Sequence, residues 1–403
     1  MKIAIQKFGG TSVANTTNRT KVVDKIIKQC ESGYSVVVVV SAIGRKGDPY
    51  ATDTLLNLVD KEGMNPRELD LLMSCGEIIS GVVLSNVLKD KGYDSTVLTG
   101  YQAGIITDNK YGDADVLRVN PDKVLKDLKL GKIVIVTGFQ GATSDGEITT
   151  LGRGGSDTTA VLLGEALNCE YVEIYTDVDG IMTADPRVVP DARLLEIMSY
   201  SEVYQLAEDG AKIIHPRAVE IAERSHIKLI IRNTLNDGKG TLIKDKDCSN
   251  TYKKKDRIIN AITYKKNRTQ VIIVDKERGN STEKLMDMIT RENISIDLIN
   301  FFSDKKVFTI DKKDIKTMEK ILKKEECDYN IVKDCCKLSI IGNRMQGIPG
   351  VMSRIVKALS KEDIQILQTS DSHATIWCLI KDKDLEKAVN SLHHEFNLSK
   401  KPV

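Results

Sequence analysis

Ser35–Ala42 reads SVVVVVSA. Five consecutive valines leave no polar face. A β-branched run this short and this uniformly apolar suits a strand covered on both sides, the situation of a central strand in a parallel sheet. The surrounding sequence fits that setting. KIAIQKFGG (Lys2–Gly10) and KIVIVTGFQG (Lys132–Gly141) read as apolar strands ending in glycines, and CEYVEIYTDV (Cys169–Val178) and IKLIIRNT (Ile227–Thr234) as two more strands. Between them lie helical patterns: Thr16 to Cys30, the long LDLLMSCGEIISGVVLSNVLKDKG (Leu69–Gly92), and TTAVLLGEAL (Thr158–Leu167). Strands alternating with helices predict an α/β domain with a mostly parallel sheet flanked by helices. Ligands of such a sheet gather outside the carboxyl ends of its strands, where the glycine-bearing motifs fall.

The pattern changes after GKGTLI (Gly238–Ile243). Asp237 to Arg257 is polar, charged and weakly periodic, and reads as a linker. Beyond it the chain resembles itself. MITRENISIDLIN from Met288 matches ALSKEDIQILQTS from Ala358, and DKKDIKTMEKIL from Asp311 matches KDKDLEKAVNSL from Lys381 at the same offset. Each copy reads helix, strand, strand, helix after an opening strand (AITYKKNRTQVIIV and CKLSIIG). The repeated element order predicts a duplicated small α+β module. The expected domains are 1–245, 258–330 and 336–400.

The chain has 403 residues and 41% hydrophobic content, enough for two or three domains with real cores. With 59 basic and 57 acidic residues the net charge is +2. That balance predicts neither a nucleic-acid nor a membrane partner. No apolar run reaches a membrane span, and MKIAIQKFGG enters a strand directly, so a cytoplasmic location is expected. The eight cysteines form no C-x-x-C pair and the five histidines no H-E-x-x-H spacing. They read as reduced thiols and packing residues, with no metal site expected.

TLGRGGSDTTA (Thr150–Ala160) places three glycines, Arg153 and Asp157 at the mouth of a helix. Arg153 can fork onto a carboxylate and Asp157 can hold an ammonium, the two charged groups of an α-amino acid. KFGGTS (Lys7–Ser12) follows the first strand. Its glycines allow backbone N–H groups to approach a phosphate, and Lys7 adds a mobile cation. An ordinary tight turn with a snorkelling lysine explains the same residues. There is no G-x-x-x-x-G-K-[ST] P-loop and no G-x-G-x-x-G in the first βα turn. YTDVDGIMTADPR (Tyr175–Arg187) lacks the glycine and glutamate of a calcium loop. It fits a nucleotide loop better, although Asp-Gly and Asp-Pro are also plain turn signals. GAKIIHPRAV (Gly210–Val219) offers Lys212 as a second phosphate cation or a solvated lysine. SCGEIIS (Ser74–Ser80) holds Glu77 on a solvated face or as an anion in a cleft. SAIGRKGDPYATDTLLNL (Ser41–Leu58) sets Ser41, Thr52 and Asp53 around a loop suited to carboxylate or phosphate contacts.

Taken together and in this order, KFGGTSV, VVVVVSAIG, CGE, GFQGAT, TLGRGGSDTTA, YTDVDGIMTADPR and GAKIIHPRAV resemble aspartate kinase (aspartokinase), of the amino-acid kinase fold. The duplicated C-terminal module looks like tandem ferredoxin-like ACT domains. The GRKGDPYATDTL and ILQTSDSHATIW stretches are similar to the short monofunctional Bacillus and Clostridium type. The resemblance implies transfer of the ATP γ-phosphoryl group to the β-carboxylate of L-aspartate. That reaction opens the route to lysine, diaminopimelate, threonine and methionine, and Mg²⁺ accompanies the nucleotide. It implies that Lys7, Arg153, Asp157 and Lys212 carry catalysis, and that Ser41, Thr52, Glu77, Arg153, Ser156 and Asp157 surround aspartate. Lys7, Gly9, Gly10, Thr176, Asp177, Met182, Asp185, Arg187 and Lys212 would contact ATP. Met182 stands where many members have an aromatic residue. An amino-acid effector, meso-diaminopimelate or lysine with or without threonine, is implied at the ACT copies. Asp297 and Asn300 are candidates for its ammonium. Ile348, Gly350 and Val351, in MQGIPGVMSRI with Gly347, are candidates for its carboxylate. A homo-oligomer, a dimer through the ACT domains, is expected. Two rival readings are a kinase for another acid of the same fold and a catalytically silent amino-acid sensor.

The implied chemistry suits these residues. A β-carboxylate is ionised at neutral pH, with an ordinary pKa of about 3.9, so no general base is required. What is required is screening of one anion from another, which lysines and helix N-termini supply.

Overall fold

The computed structural model describes residues 1–61, 63–211, 213–245, 258–274, 281–342, 345 and 348–400. The valine run forms the strand Ser35–Val40, in which Val36 to Val40 are all buried. It lies between Ile3–Phe8 and Ile133–Thr137, parallel to both, near the middle of an eight-stranded sheet among the described residues. Tyr171–Thr176 and Lys228–Asn233 extend the sheet on the other side of Ile3–Phe8, again in parallel. The pairing of Lys228–Asn233 with Thr241–Ile243 is antiparallel. The helices Thr16–Glu31 and Pro66–Asp90 cover the sheet with Val22, Val23, Ile26, Leu84 and Leu88, which pack on Val36, Val38 and Ile135. A second, four-stranded sheet carries Ile148–Thr150, the strand that feeds the arginine–glycine loop.

Helix Pro66–Asp90 differs from expectation. By length and composition it is long and apolar enough to cross a membrane. Its inner face nevertheless carries Asp70, Ser74, Glu77 and Ser80 together with Leu84 and Leu88 into the protein interior. A run that serves a buried face passes the same hydropathy test as a membrane span.

The chain divides into two units. The first is Met1–Ile181, Leu194–Ala207 and Lys212–Ser249; the second is Met182–Arg193, Glu208–Ala211 and Asn250–Val403. The second unit holds the duplication as one six-stranded sheet among the described residues. Its centre is two long antiparallel strands, Ile259–Val274 and Asp328–Gly342. Each serves both modules. Val271 and Ile273 pack with the helices Ser281–Arg291 and Ile315–Lys324. Ile259 and Ile262 pack with Val351–Ser360 and Leu385–Glu395. The ladder slips between Lys265 and Gln270, where the strand passes from one core to the other. Pairing along the full length covers an edge that either module alone would expose.

Candidate active site

The helix Gly155–Leu167 begins at Gly154, whose φ of +70° lies in the left-handed region and which provides no side-chain cap. A Cβ at this position would meet the His215 ring at 2.2 Å, so glycine is required twice over. Ser156 and Asp157 sit buried in the first turn, and Arg153 stands exposed just before it. The uncapped N-terminus adds positive potential beside them. Arg153 makes no hydrogen bond or ion pair among the described residues.

Lys7 comes from a different element, the strand Ile3–Phe8. Its Nζ stands 2.7 Å from Asp157 Oδ1, with both side chains only 13% and 12% exposed. The approach is an ion pair outside hydrogen-bond geometry, so Asp157 Oδ1 retains an unmet acceptor. The sequence reading placed the first helix from Thr16 to Cys30, and the structure starts it at the same residue. A short 3-10 turn, Gly10–Val13, precedes it, and helix Thr16–Glu31 starts at its own Asn15 cap.

Glu77 comes from the middle of Pro66–Asp90 and is 2% exposed. Gly76 brings it in: a Cβ there would lie 2.8 Å from Ala42 Cβ, so only glycine lets the helix approach so closely. Glu77 Oε1 then accepts the Ala42 N–H at 3.0 Å, while Oε2 is buried without a partner. Burial pushes this carboxyl up to about 8, and the Ala42 N–H acts in the opposite sense.

These groups share one cleft of 260 Å³. It brings together Lys7, Gly10, Ser41, Thr52, Glu77, Arg153, Ser156 and Asp157, eight of the residues expected at the site. Gly9 does not line it and donates its N–H to the Tyr175 carbonyl. Lys212 lies outside the described residues. Of the nucleotide candidates, Thr176 and Asp177 belong to the first unit, and Asp177 pairs with Arg45. Burial pushes the Asp177 carboxyl up, but hydrogen bonds from its own backbone N–H, Thr176 and Arg45 together outweigh it and hold it below the usual range. Met182, Asp185 and Arg187 belong to the second unit, where Asp185 accepts two bonds from the Arg187 guanidinium and one from Tyr264 Oη.

The cleft also uses Phe139, which sequence reasoning did not single out. Its φ of +69° is unusual for an aromatic residue. It follows Gly138 at the end of a central strand, and its N–H and C=O are held by Thr159 Oγ1 and Leu151 N–H. The glycine pair of GFQG is the local signal that marks it.

In the second unit, Asp297 pairs with Lys337 at 2.7 Å, and Lys337 also reaches Asp209 at 2.8 Å. Burial raises the Asp297 carboxyl, but the Lys337 ammonium outweighs it and holds Asp297 below the usual carboxylate range. Asn300 Oδ1 accepts from Gln368 Nε2 at 2.6 Å. Both candidates therefore touch the second module. Gly350 caps helix Val351–Ser360 with φ +91°, next to Val351, and Ile348 is exposed. Gly347 lies outside the described residues.

Residues 2–233 match the amino acid kinase family and 330–394 the ACT domain. Aspartokinase 1 of Bacillus subtilis is 44% identical over 99% of this chain and 100% of its own. The chain belongs to the aspartokinase family. Among solved aspartokinases, the E. coli aspartokinase III complex with aspartate and ADP (R-state) aligns with a TM-score of 0.79 at 25% identity, covering 98% of this chain and 99% of that one. The complex of the same enzyme with lysine and aspartate (T-state) aligns at 0.76 with the same identity and coverage. The aspartokinase fold, its ACT domain and its kinase chemistry therefore agree with the sequence reading.

Proposed function

We propose that this chain transfers the ATP γ-phosphoryl group to the β-carboxylate of L-aspartate, giving ADP and 4-phospho-L-aspartate in the cytoplasm. The product leads toward lysine, diaminopimelate, threonine and methionine. One observation carries the reading: a single cleft sets an unpartnered Arg153 beside Asp157 and Glu77, with Lys7 at the same wall. Arg153 forks onto the α-carboxylate, Asp157 and Glu77 face the ammonium, and Ser41, Thr52 and Ser156 offer hydroxyls. The β-carboxylate is left to attack. Lys7, aided by Lys212, screens the phosphoryl oxygens, with Gly9 and Gly10 beside them. Thr176, Asp177, Met182, Asp185 and Arg187 take the nucleotide.

Mg²⁺ enters this reading on the nucleotide, where it would screen phosphate charge. No group of three or more His, Cys, Asp or Glu residues able to hold a metal occurs among the described residues. Phosphate oxygens and water supply its ligands, the common arrangement for this ion.

The decisive experiment is ADP release with aspartate, with glutamate and with no acid. Aspartate alone should support turnover. Equal rates with glutamate point to another acid kinase, and no rate with any acid points to a silent sensor. The same assay with lysine, threonine and meso-diaminopimelate, singly and paired, tests regulation through a dimer of ACT domains. Asp297 and Asn300 remain the proposed partners of an effector ammonium, which would have to share or displace the Lys337 ammonium that Asp297 already holds at 2.7 Å. Ile348, Gly350 and Val351 offer backbone groups for its carboxylate. Asp297→Ala should weaken inhibition and leave uninhibited turnover near normal. Full inhibition in that variant removes Asp297 from the effector site.

The raised Glu77 carboxyl gives a pH dependence with a definite sign. Below about pH 8 burial holds Glu77 mostly protonated. A substrate ammonium favours its anion, so binding releases a proton, and affinity rises with pH until Glu77 ionises unaided. The KM for aspartate should fall by up to about tenfold per pH unit toward pH 8 and then level. In Glu77→Gln that slope should vanish. Stability runs the other way. The folded state binds the extra proton between the unfolded pKa, about 4.3, and about 8. Folding therefore weakens as pH rises through that window, and Glu77→Gln should remove the loss. A flat KM profile in the unmodified chain would contradict the assignment.

A further inference from the structure

Asp70 is a buried carboxylate that the reaction does not use. It lies seven residues before Glu77 on Pro66–Asp90, which puts both side chains on one helix face. It is 0% exposed, and no cation pairs with it among the described residues. Its two oxygens instead collect three donors. Oδ2 accepts the N–H groups of Gly112 at 2.9 Å and Thr150 at 2.7 Å, and Oδ1 accepts the Thr150 hydroxyl at 2.8 Å. A lone carboxylate is costly to take out of water, and an apolar side chain fills such a position without that cost. The donors indicate what the charge does there.

Thr150 is the last residue of strand Ile148–Thr150. Asp70 holds its N–H and hydroxyl, and Ala114 N–H holds its carbonyl at 2.9 Å. The chain then runs Leu151, Gly152, Arg153. Gly152 has no room for a side chain, because a Cβ there would meet Asp113 Oδ1 at 2.3 Å. Arg153 thus follows a held backbone, three residues after Thr150. The same helix delivers Glu77 to the cleft. Asp70 therefore ties the element bearing Glu77 to the loop bearing Arg153, the two groups that the proposed function sets at opposite ends of the aspartate zwitterion.

We propose that Asp70 is a positioning residue for the acid substrate, fixing the span between Arg153 and Glu77 through its bonds to Thr150 and Gly112. The proposal rests on the aspartate-kinase reading above. Misplacing a binding group by about 1 Å costs up to about 100-fold, so the effect is measurable.

The test compares Asp70→Leu and Asp70→Asn in the full chain, reading the KM for aspartate, the KM for ATP, kcat and Tm. Asp70→Leu should raise the KM for aspartate about tenfold or more, with the KM for ATP within about twofold. Asp70→Asn should restore most of it. A carboxamide oxygen can take both N–H groups while its amide donates to the Thr150 hydroxyl, which turns to accept. Lower Tm with both KM values unmoved means a merely structural residue and overturns the proposal, as does an Asn variant as impaired as Leu. If Asp70→Leu does not fold, Thr150→Val removes one of the three bonds. It should shift the aspartate KM alone, and an unmoved KM again overturns the proposal. Unmodified chain that shows no aspartate-dependent ADP release overturns the functional reading itself, and this proposal with it.

Discussion

Lys7→Ala lowers turnover by about 10²–10³-fold while leaving the fold intact. Lys7 sits on the central strand, where its backbone ladder to Val39 and Ile174 does not depend on the side chain. The side chain projects to the cleft and pairs with Asp157 at 2.7 Å. Two anions must meet in the reaction, and an ammonium placed in advance is worth most where water is scarce. Lys7 and Asp157 neutralise one another as a pair. Phosphate would draw Lys7 away and leave Asp157 to the substrate ammonium, so the pair loosens as both substrates arrive. Steady-state turnover at saturating ATP and aspartate, read beside a thermal melt, checks the expectation. Near-normal turnover removes Lys7 from the mechanism. A collapse of the melt to match the loss of turnover makes its role structural.

Arg153→Ala raises the KM for aspartate by roughly 30-fold to several thousand-fold, with much less effect on ATP. The figure corresponds to about 2–5 kcal/mol for truncating one member of a desolvated, charge-assisted pair. Arg153 is exposed and has no partner among the described residues, so its removal breaks no contact within the protein. The loss appears only when the substrate carboxylate needs its fork. Aspartate and ATP saturation curves measured on one preparation separate the two effects. Unchanged aspartate saturation shows that Arg153 is not the carboxylate fork.

Much of this was legible without coordinates. SVVVVVSA suits a strand buried on both faces, and KIVIVTGFQG and CEYVEIYTDV agree with it, so a mostly parallel sheet was expected. The C-terminal offset between Met288 and Ala358 showed the duplication. Within TLGRGGSDTTA, the left-handed Gly154 and the charges of Arg153 and Asp157 are local features, readable because they lie within a few residues of each other. Phe139 and Asp70 were not readable in the same way. An aspartate in a helix is the same letter whether it faces water or three buried donors.

The central strands, the helices between them, the C-terminal duplication and the glycine motifs at the carboxyl edge of the sheet were legible from the sequence, whereas the four-stranded sheet that carries Ile148–Thr150 was not. Hydrophobic period and glycine placement act over a few residues, and those signals survive in a linear text. The tertiary structure alone decided the partners: Lys7 with Asp157, Glu77 with Ala42, Asp70 with Thr150, Lys337 with Asp297. It also decided that one 16-residue strand serves both C-terminal cores. Each of these joins segments far apart in the chain, and strand order with helix approach sets them. Periodicity reports that a side chain is covered, whereas only the packed elements determine what covers it.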